Sequence, residues 1–324
     1  MTRRGRFAPT PSGLLHIGNA FTALSAWLQM RQAGGEFVLR VEDIDTARSR
    51  ADLAERQLED LQWLGIDWDE GPRKGGAYAP YEQSGRMPLY EAALDRLSQN
   101  GRIYPCYCSR SDLARVASAP HGLSSEGGAY PGLCRELSEE ERREKAALKP
   151  PATRFMMAQR PVTFSDGWAG EVTFADDAVS DFVVKRADGM YSYQLAVTVD
   201  DAAMGITDVL RGADLLDSTP RQLALYEALG LTAPSFTHVP LLVDANGERL
   251  SKRDHSITLS SLRDSGMTPE QLVGVLACAA GWIDRPTPLA PADLIPHFRP
   301  INEEGARDRF TLTDSLWRLL LSAT

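Results

Sequence analysis

Arg6-Phe7-Ala8-Pro9-Thr10-Pro11-Ser12-Gly13-Leu14-Leu15-His16-Ile17-Gly18-Asn19, continuing to Gln32, reads as a strand, a tight loop and a helix. Arg6-Phe7-Ala8 is a short extended start. Pro9 and Pro11 each fix φ and disfavour helix in the residue before, so regular structure breaks there. From Ala20 onward Phe21, Leu24 and Leu28, flanked by Ala20 and Trp27, recur at steps of three and four, which predicts a helix. A helix N-terminus behind a Gly-containing loop presents free backbone N–H groups and the positive end of the helix dipole, a ready anion site. On this stretch alone an ordinary strand-to-helix turn explains the pattern equally well.

Working outward, Phe37-Val38-Leu39-Arg40-Val41 is a near-continuous apolar run of the kind that suits a parallel sheet covered on both faces. It ends in Glu42-Asp43-Ile44-Asp45, which puts carboxylates at a strand's C-terminal end, where α/β sheets hold ligands. Asp43 or Asp45 serves equally as a cap for the next helix. Helices are predicted over residues 51–64, closed by Gly65, and around Met87, Tyr90, Leu94 and Leu97, ended by Asn100-Gly101. This βα alternation implies a doubly wound sheet.

The alternation breaks at Tyr104. Cys106 and Cys108 are followed by a Gly/Ser/Ala-rich loop over residues 117–129, then by Tyr130 and Cys134. Residues 138–149 are strongly charged and predict a solvated helix capped by Ser138. Short β-like pieces follow at residues 153–157, 162–164, 171–174 and 182–185, with Asp188-Gly189 as a hairpin turn between Val183-Val184 and Tyr191–Tyr193. This middle section predicts an inserted domain with its own small antiparallel sheet. Alternation resumes with residues 195–199 and Asp200-Asp201, and residues 209–214 read as a strand end entering a loop. Thr219 as N-cap, Pro220 at the first helical position and Gly230 as terminator bound the next helix. Residues 238–243 read as a strand, Asn246-Gly247 as a turn, and residues 269–280 and 313–321 as helices.

The 324-residue chain, 43% hydrophobic and 24% charged, suffices for one large or two smaller domains with full cores. Its net charge of −9 argues against nucleic-acid binding by bulk charge and is compatible with a local basic face. No apolar region follows the basic Met1-Thr2-Arg3-Arg4, so no signal peptide is expected. The longest apolar stretch, residues 272–282, is too short to span a bilayer, so no membrane attachment is expected. Four unevenly spaced cysteines fit a reducing cytoplasm better than a disulfide framework.

Two separated stretches then matter together. Leu15-His16-Ile17-Gly18-Asn19 and Arg249-Leu250-Ser251-Lys252-Arg253 resemble the HIGH and KMSKS signatures of class I aminoacyl-tRNA synthetases. In that family a carboxylate attacks the α-phosphate of ATP and expels pyrophosphate, chemistry carried by positioning and by stabilising charge on phosphate oxygens. The resemblance implies that His16, Gly18, Asn19, Ser251 and Lys252 bind ATP, with its Mg2+, and that His16 and Lys252 are catalytic. On residues alone, His16 as a satisfied turn histidine and Lys252 as a solvated hairpin lysine remain open. The finer similarity is to glutamyl-tRNA synthetases. Arg6 to Gly13 resembles their RFAPSPTG opening, and Arg40-Val41-Glu42-Asp43-Ile44-Asp45-Thr46 their R-x-E-D-T-D. By that resemblance L-glutamate is held by Arg6, Phe7, Ala8, Pro9, Thr10, Glu42, Tyr193 and Arg211. A dicarboxylate with an ammonium calls for guanidinium partners, an anion and a hydroxyl. Pairing of Arg211 with Asp214 at a strand end is the competing explanation for that arginine.

The motif departs from the family at Asn19, which stands where the second histidine is usual. The chain also stops soon after Lys252, at residue 324, too short for the usual anticodon-binding domain. With the cysteines, this resembles the glutamyl-queuosine tRNA(Asp) synthetases, a paralogous family that attaches glutamate to queuosine in the anticodon loop of tRNA(Asp). The resemblance implies one structural zinc on Cys106, Cys108, Tyr130 and Cys134, and three free thiols near a turn are the alternative. It implies a Rossmann-like doubly wound parallel α/β sheet in two halves, residues 1–101 and 191–243. An inserted zinc-containing α+β domain occupies residues 102–190, and a KMSKS-like loop and helical segment residues 244–324. The expected partners are ATP, L-glutamate and tRNA(Asp) bearing queuosine, the expected state a cytoplasmic monomer. Arg102, Arg110, Arg135 and Arg142 are candidate phosphate contacts. A short glutamyl-tRNA synthetase charging a tRNA 3′ end, and a catalytically silent synthetase-like RNA-binding module, are the competing functions.

Overall fold

A computed structural model of the chain describes residues 2–109, 112, 130–244, 246–247, 257–299 and 309–321. In order the elements are β1 (Arg4–Phe7), α1 (Ile17–Gln32), β2 (Glu36–Leu39), α2 (Ala51–Trp63), α3 (Met87–Gln99), β3 (Ile103–Cys106), α4 (Glu139–Leu148), β4 (Ala152–Phe155), β5 (Val162–Asp166), β6 (Gly170–Phe174) and β7 (Phe182–Lys185). Then come α5 (Tyr193–Ala203), β8 (Asp208–Gly212), α6 (Thr219–Leu229), β9 (Ser235–Val239), β10 (Leu242–Val243), α7 (Leu259–Asp264), α8 (Pro269–Ala280), β11 (Phe310–Thr311) and α9 (Asp314–Leu321).

The main sheet has the order β2-β1-β8-β9-β5-β6. Its first five strands are mutually parallel, and β6 returns antiparallel to β5. The result is a mixed, mostly parallel α/β sheet. Because β1 is flanked by β2 on one side and by β8 on the other, the crevice at its C-terminal end is a topological switch point, the usual place for a ligand in such folds. Helix α1 covers the sheet closely. Gly5 permits this, since a Cβ there would stand 2.5 Å from Cγ of Met30 on α1. Ala20, Ala23, Leu24, Leu28 and Met30 are all fully buried, because α1 is also covered from its far side. There Phe21 stacks on Trp282 with centroids 5.6 Å apart and meets Phe310 edge-on at 5.0 Å, so the C-terminal helical segment shares one core with the sheet.

A second core joins Tyr90 and Leu94 of α3, Leu195 of α5 and Leu225 of α6 to Phe155 and Phe182 of the antiparallel sheet β3-β4-β7. The middle section therefore holds a small antiparallel sheet, as expected, but its β5–β6 hairpin is not part of it. That hairpin extends the main sheet through the Asp166–Phe236 pair. Alternating exposure of β5 and β6 is compatible with either sheet, so sequence pattern does not choose between them. Helix α4 buries nothing and is closed by a reciprocal cap between Ser138 and Glu141, as its charge pattern predicts.

Several local readings change. Helix α1 begins at Ile17, three residues before Ala20, because His16 caps it. Residues 195–199 lie within α5, and only a single bridge, Lys185–Tyr191, follows the Asp188-Gly189 turn, after which Ser192 caps α5. Helix α6 starts at Thr219 with Ser218 before it, and Gly230 ends it at φ 61°, a left-handed conformation that glycine adopts freely. Pro240, lacking an N–H, separates β9 from β10 within the apolar run at 238–243. Among the described residues no helix is long and apolar enough to cross a membrane.

Candidate active site

A cleft of about 860 Å³ opens at the C-terminal ends of β1, β2 and β8. Arg6 and Phe7 reach it from β1, Ala8, Pro9 and Thr10 from the loop beyond, Glu42 from the segment after β2, Tyr193 from the start of α5 and Arg211 from β8. His16, Gly18 and Asn19 line the same cleft at the N-terminus of α1. Ser251 and Lys252 lie outside the described residues. The proline loop is held from behind by Gln57 on α2, whose Nε2 donates to the carbonyls of Thr10 at 3.0 Å and Gly13 at 2.8 Å. Gln57 has no sequence signal beyond its place on an amphipathic helix.

The floor of the cleft is a buried charge network. Arg40, fully buried, donates through Nη1 to Oδ1 of Asp201 at 2.7 Å and through Nη2 to Oε1 of Glu42 at 3.0 Å. Arg6 shares Asp201, its Nε donating at 3.3 Å. Behind them Asp200 accepts from Arg86 at 2.6 Å, Gln83 at 2.8 Å and Tyr90 at 2.8 Å. Burial drives Asp201 up, but Arg6 and Arg40 overcome it and hold the carboxyl below its ordinary range. For Glu42 burial prevails over Arg40 and Arg6, and its carboxyl is raised. Glu42 thus faces the cleft as a buried acid whose arginine neighbours do not fully offset its burial, a place where an ammonium would be stabilised. Burial likewise pushes the Tyr193 phenol up, so its hydroxyl stays a neutral donor and acceptor.

Arg211, 4% exposed, has no carboxylate at hydrogen-bonding distance among the described residues. Its Nε donates to Nε2 of His238 at 2.9 Å and its Nη2 to the hydroxyl of Thr219 at 2.9 Å, in place of Asp214. Thr219 is therefore a partner of Arg211 and not the helix cap that sequence suggests. Nη1 is buried without a partner among the described residues. A buried guanidinium left with neutral partners is costly unless an anion completes it. The cleft therefore carries an anion position at Arg211, a second cation at Arg6 and an acid at Glu42.

At the other end of the cleft, His16 and Asn19 form a reciprocal cap. Nδ1 of His16 accepts from the N–H of Gly18 at 3.1 Å, and Oδ1 of Asn19 accepts from the N–H of His16 at 3.2 Å. Asn19 therefore has a capping use where a second histidine is usual, and Nε2 of His16 remains outside that cap. Burial lowers the pKa of His16, opposed by Asp214, so its ring is neutral at pH 7.

A separate group gathers between β3 and the segment before α4. Sγ of Cys106, Cys108 and Cys134 lie within 4.8 Å of one another, and Cys108 and Cys134 are 3.6 Å apart. The Tyr130 hydroxyl stands 3.5 Å from Sγ of Cys106 and 3.7 Å from that of Cys108. Ligands about 2.3 Å (S) and 2.1 Å (O) from a tetrahedral zinc would be about 3.8 Å (S–S) and 3.6 Å (S–O) from each other. The Cys108–Cys134, Tyr130–Cys106 and Tyr130–Cys108 separations match those of ligands on such an ion. Burial pushes the Cys108 thiol up to about 12, while Tyr130 and Arg154 bring Cys106 below its ordinary value in spite of burial. Arg154 donates to Sγ of Cys106 at 3.2 Å and lies 3.7 Å from the Tyr130 ring centroid, supplying a cation beside the cluster.

Residues 3–285 match the family model described as tRNA synthetases class I (E and Q), catalytic domain. A relative from Symbiobacterium thermophilum, named Glutamyl-Q tRNA(Asp) synthetase, is 58% identical over 91% of this chain and 91% of its own. One of the same name from Nitratidesulfovibrio vulgaris is 49% identical over 90% of each. Among solved structures, a glutamate-tRNA synthetase from Elizabethkingia anophelis superposes with a TM-score of 0.83 at 30% identity, covering 99% of this chain and 70% of that one.

Proposed function

The chain belongs to the class I tRNA synthetases of the E and Q type, and on that premise we propose that it activates glutamate with ATP and transfers it to queuosine in the anticodon loop of tRNA(Asp). The observation that carries the activation step is the single cleft in which Arg6, Glu42, Tyr193 and the anion-seeking Nη1 of Arg211 face the His16 end of α1. In this reading Arg6 and Arg211 take the two carboxylates, Glu42 the ammonium and Tyr193 a hydrogen bond, while Phe7, Ala8, Pro9 and Thr10 shape the wall. His16, Gly18 and Asn19 receive ATP, which enters as its Mg2+ complex. Ser251 and Lys252 are assigned to the departing pyrophosphate side from sequence.

A glutamate carboxylate oxygen attacks the α-phosphorus of ATP. A new C–O–P linkage forms, and pyrophosphate leaves with the electrons of the broken P–O bond. A cyclopentenediol hydroxyl of queuosine then attacks the acyl carbon. The ester forms, AMP leaves with its bridging oxygen, and the hydroxyl proton passes to AMP or solvent. Catalysis here is positioning and charge stabilisation. Cys106, Cys108, Tyr130 and Cys134 would hold one zinc, whose contribution is to the fold of the insertion and not to the reaction. The reaction is placed in the cytoplasm, with the chain acting as a monomer. The names of the relatives, matched over nine tenths of both chains, support the tRNA(Asp) assignment.

The test is where glutamate ends up. Labelled glutamate should appear on tRNA(Asp) bearing queuosine, stay on an isolated anticodon stem-loop and be absent from queuosine-free tRNA(Asp). An ester on the 3′-terminal adenosine, formed without the anticodon arm, would make the chain a short glutamyl-tRNA synthetase. No glutamate-dependent ATP–pyrophosphate exchange would make it a silent RNA-binding module.

A further inference from the structure

Arg211 is oriented by a chain of contacts that starts outside the sheet strands lining the cleft. Asp166, at the end of β5 in the inserted hairpin, is 3% exposed, and His238 on β9 is 1% exposed. Oδ2 of Asp166 lies 2.6 Å from Nδ1 of His238, and Nε2 of His238 lies 2.9 Å from Nε of Arg211 and 3.2 Å from the Thr219 hydroxyl. The proton positions follow from donor and acceptor logic. The Nε–H of Arg211 can only donate, so Nε2 of His238 must accept. The ring proton then sits on Nδ1 and is donated to Asp166.

We infer that Asp166 of the inserted hairpin is a positioning residue for amino-acid recognition: it selects the Nδ1–H tautomer of His238, which makes Nε2 the acceptor that aims Arg211 into the cleft. This rests on the reading of Arg211 as a glutamate partner. The arrangement makes the β5–β6 hairpin, and not only β1, β2 and β8, part of the amino-acid site. A general anchoring role would not need the ring nitrogen order, but the other oxygen of Asp166 shows that the order is enforced. Oδ1 accepts from the N–H groups of Trp168 at 2.9 Å, Ala169 at 2.9 Å and His238 at 3.2 Å. An asparagine at 166 must leave its carbonyl oxygen on those three donors, so its NH2 would face Nδ1 of His238. The ring must then carry its proton on Nε2, pointing at the Nε–H of Arg211, donor against donor.

Asp166→Asn is thus a nearly isosteric change with a specific expected effect. Two measurements read it in the full-length enzyme. Long-range 1H–15N spectra of the histidine rings, of which the chain has five, should show His238 protonated on Nδ1 in the wild type and on Nε2 in Asp166→Asn. In ATP–pyrophosphate exchange the same variant should raise the KM for glutamate by about tenfold or more, the cost of misaligning one charge-assisted hydrogen bond, with the KM for ATP within about twofold. His238→Gln supplies an acceptor that has no tautomers, so adding Asp166→Asn to it should change the glutamate KM by less than about twofold, a coupling read by the double-mutant cycle. An unmoved ring proton in Asp166→Asn, or equal effects of Asp166→Asn in both backgrounds, overturns the inference. Arg211→Ala, run in parallel, isolates the underlying reading. If it leaves the glutamate KM unchanged, the assignment of Arg211 fails while the tautomer result stands on its own.

Discussion

Replacing Tyr130 by phenylalanine tests the least ordinary part of the cysteine cluster. The phenol oxygen lies 3.5 Å from Sγ of Cys106 and 3.7 Å from Sγ of Cys108, against about 3.6 Å expected for oxygen and sulfur on one zinc. Three thiolates and a phenolate would give a zinc site a net charge of −2, and Arg154, 3.2 Å from Sγ of Cys106 and stacked on the Tyr130 ring, offsets part of it. Tyr130→Phe keeps the stacking but leaves one coordination position to water. Loss of an outer-shell partner alone typically costs about 10–100-fold in metal affinity. Loss of a direct ligand should cost at least about 100-fold, taking the upper end of that range as the floor. The assay is zinc competition against a chromogenic chelator, together with metal content per chain, expected at about one for the wild type. Affinity should also fall as pH drops, because the Cys108 thiol, pushed up to about 12 by burial, must lose its proton to bind metal. If Tyr130→Phe held zinc as tightly as the wild type while Cys134→Ser lost it, the phenol would be only an acceptor for the Cys134 N–H, 2.9 Å away, and the four-ligand reasoning would be wrong.

Three further outcomes are expected. Lys252→Ala should slow glutamate-dependent ATP–pyrophosphate exchange about 10²-fold or more, the usual cost of removing one preorganised charge stabiliser, and indifference to the change would remove Lys252 from the reaction. Arg211→Lys should leave the glutamate KM raised, since one ammonium cannot serve His238, Thr219 and the ligand as the planar fork does; full recovery of glutamate use with lysine would show that charge alone suffices. Because burial raises Glu42, its ionised form lowers the stability of the ligand-free protein, a cost that is relieved as pH falls through the raised pKa. Bound glutamate needs that ionised form for its ammonium, so glutamate affinity should weaken on the acid side of the profile and Glu42→Gln should flatten that limb. A wild-type glutamate affinity independent of pH down to the ordinary carboxylate range would refute the pairing.

How far the sequence reaches is clearest residue by residue. The strand–loop–helix at Arg6 to Gln32, the apolar strand before Glu42, the α4 cap at Ser138 and the terminator Gly230 are all legible, because each rests on contacts within a few residues or on a period of two or 3.6. The same locality exposes the motif residues, since reaction chemistry requires particular side chains at fixed positions in short turns. What those side chains touch is another matter. Arg135, a plausible phosphate contact by charge, is held by both oxygens of Asp181 at 2.6 Å and 3.0 Å, and Arg102 lies over the ring of Phe155. Thr219 reads as a cap and instead receives Arg211. Asp166 sits in a half-exposed hairpin and has no motif, yet it meets His238 across 72 residues of sequence, and His238 meets Arg211 across 27. By itself the sequence determines which chemistry is present and which elements carry it. The tertiary structure alone decides that β5 and β6 extend the main sheet and that Arg211 is buried with Nη1 unpaired. Strand neighbours and buried polar partners are chosen by packing over long separations, and no local period records that choice.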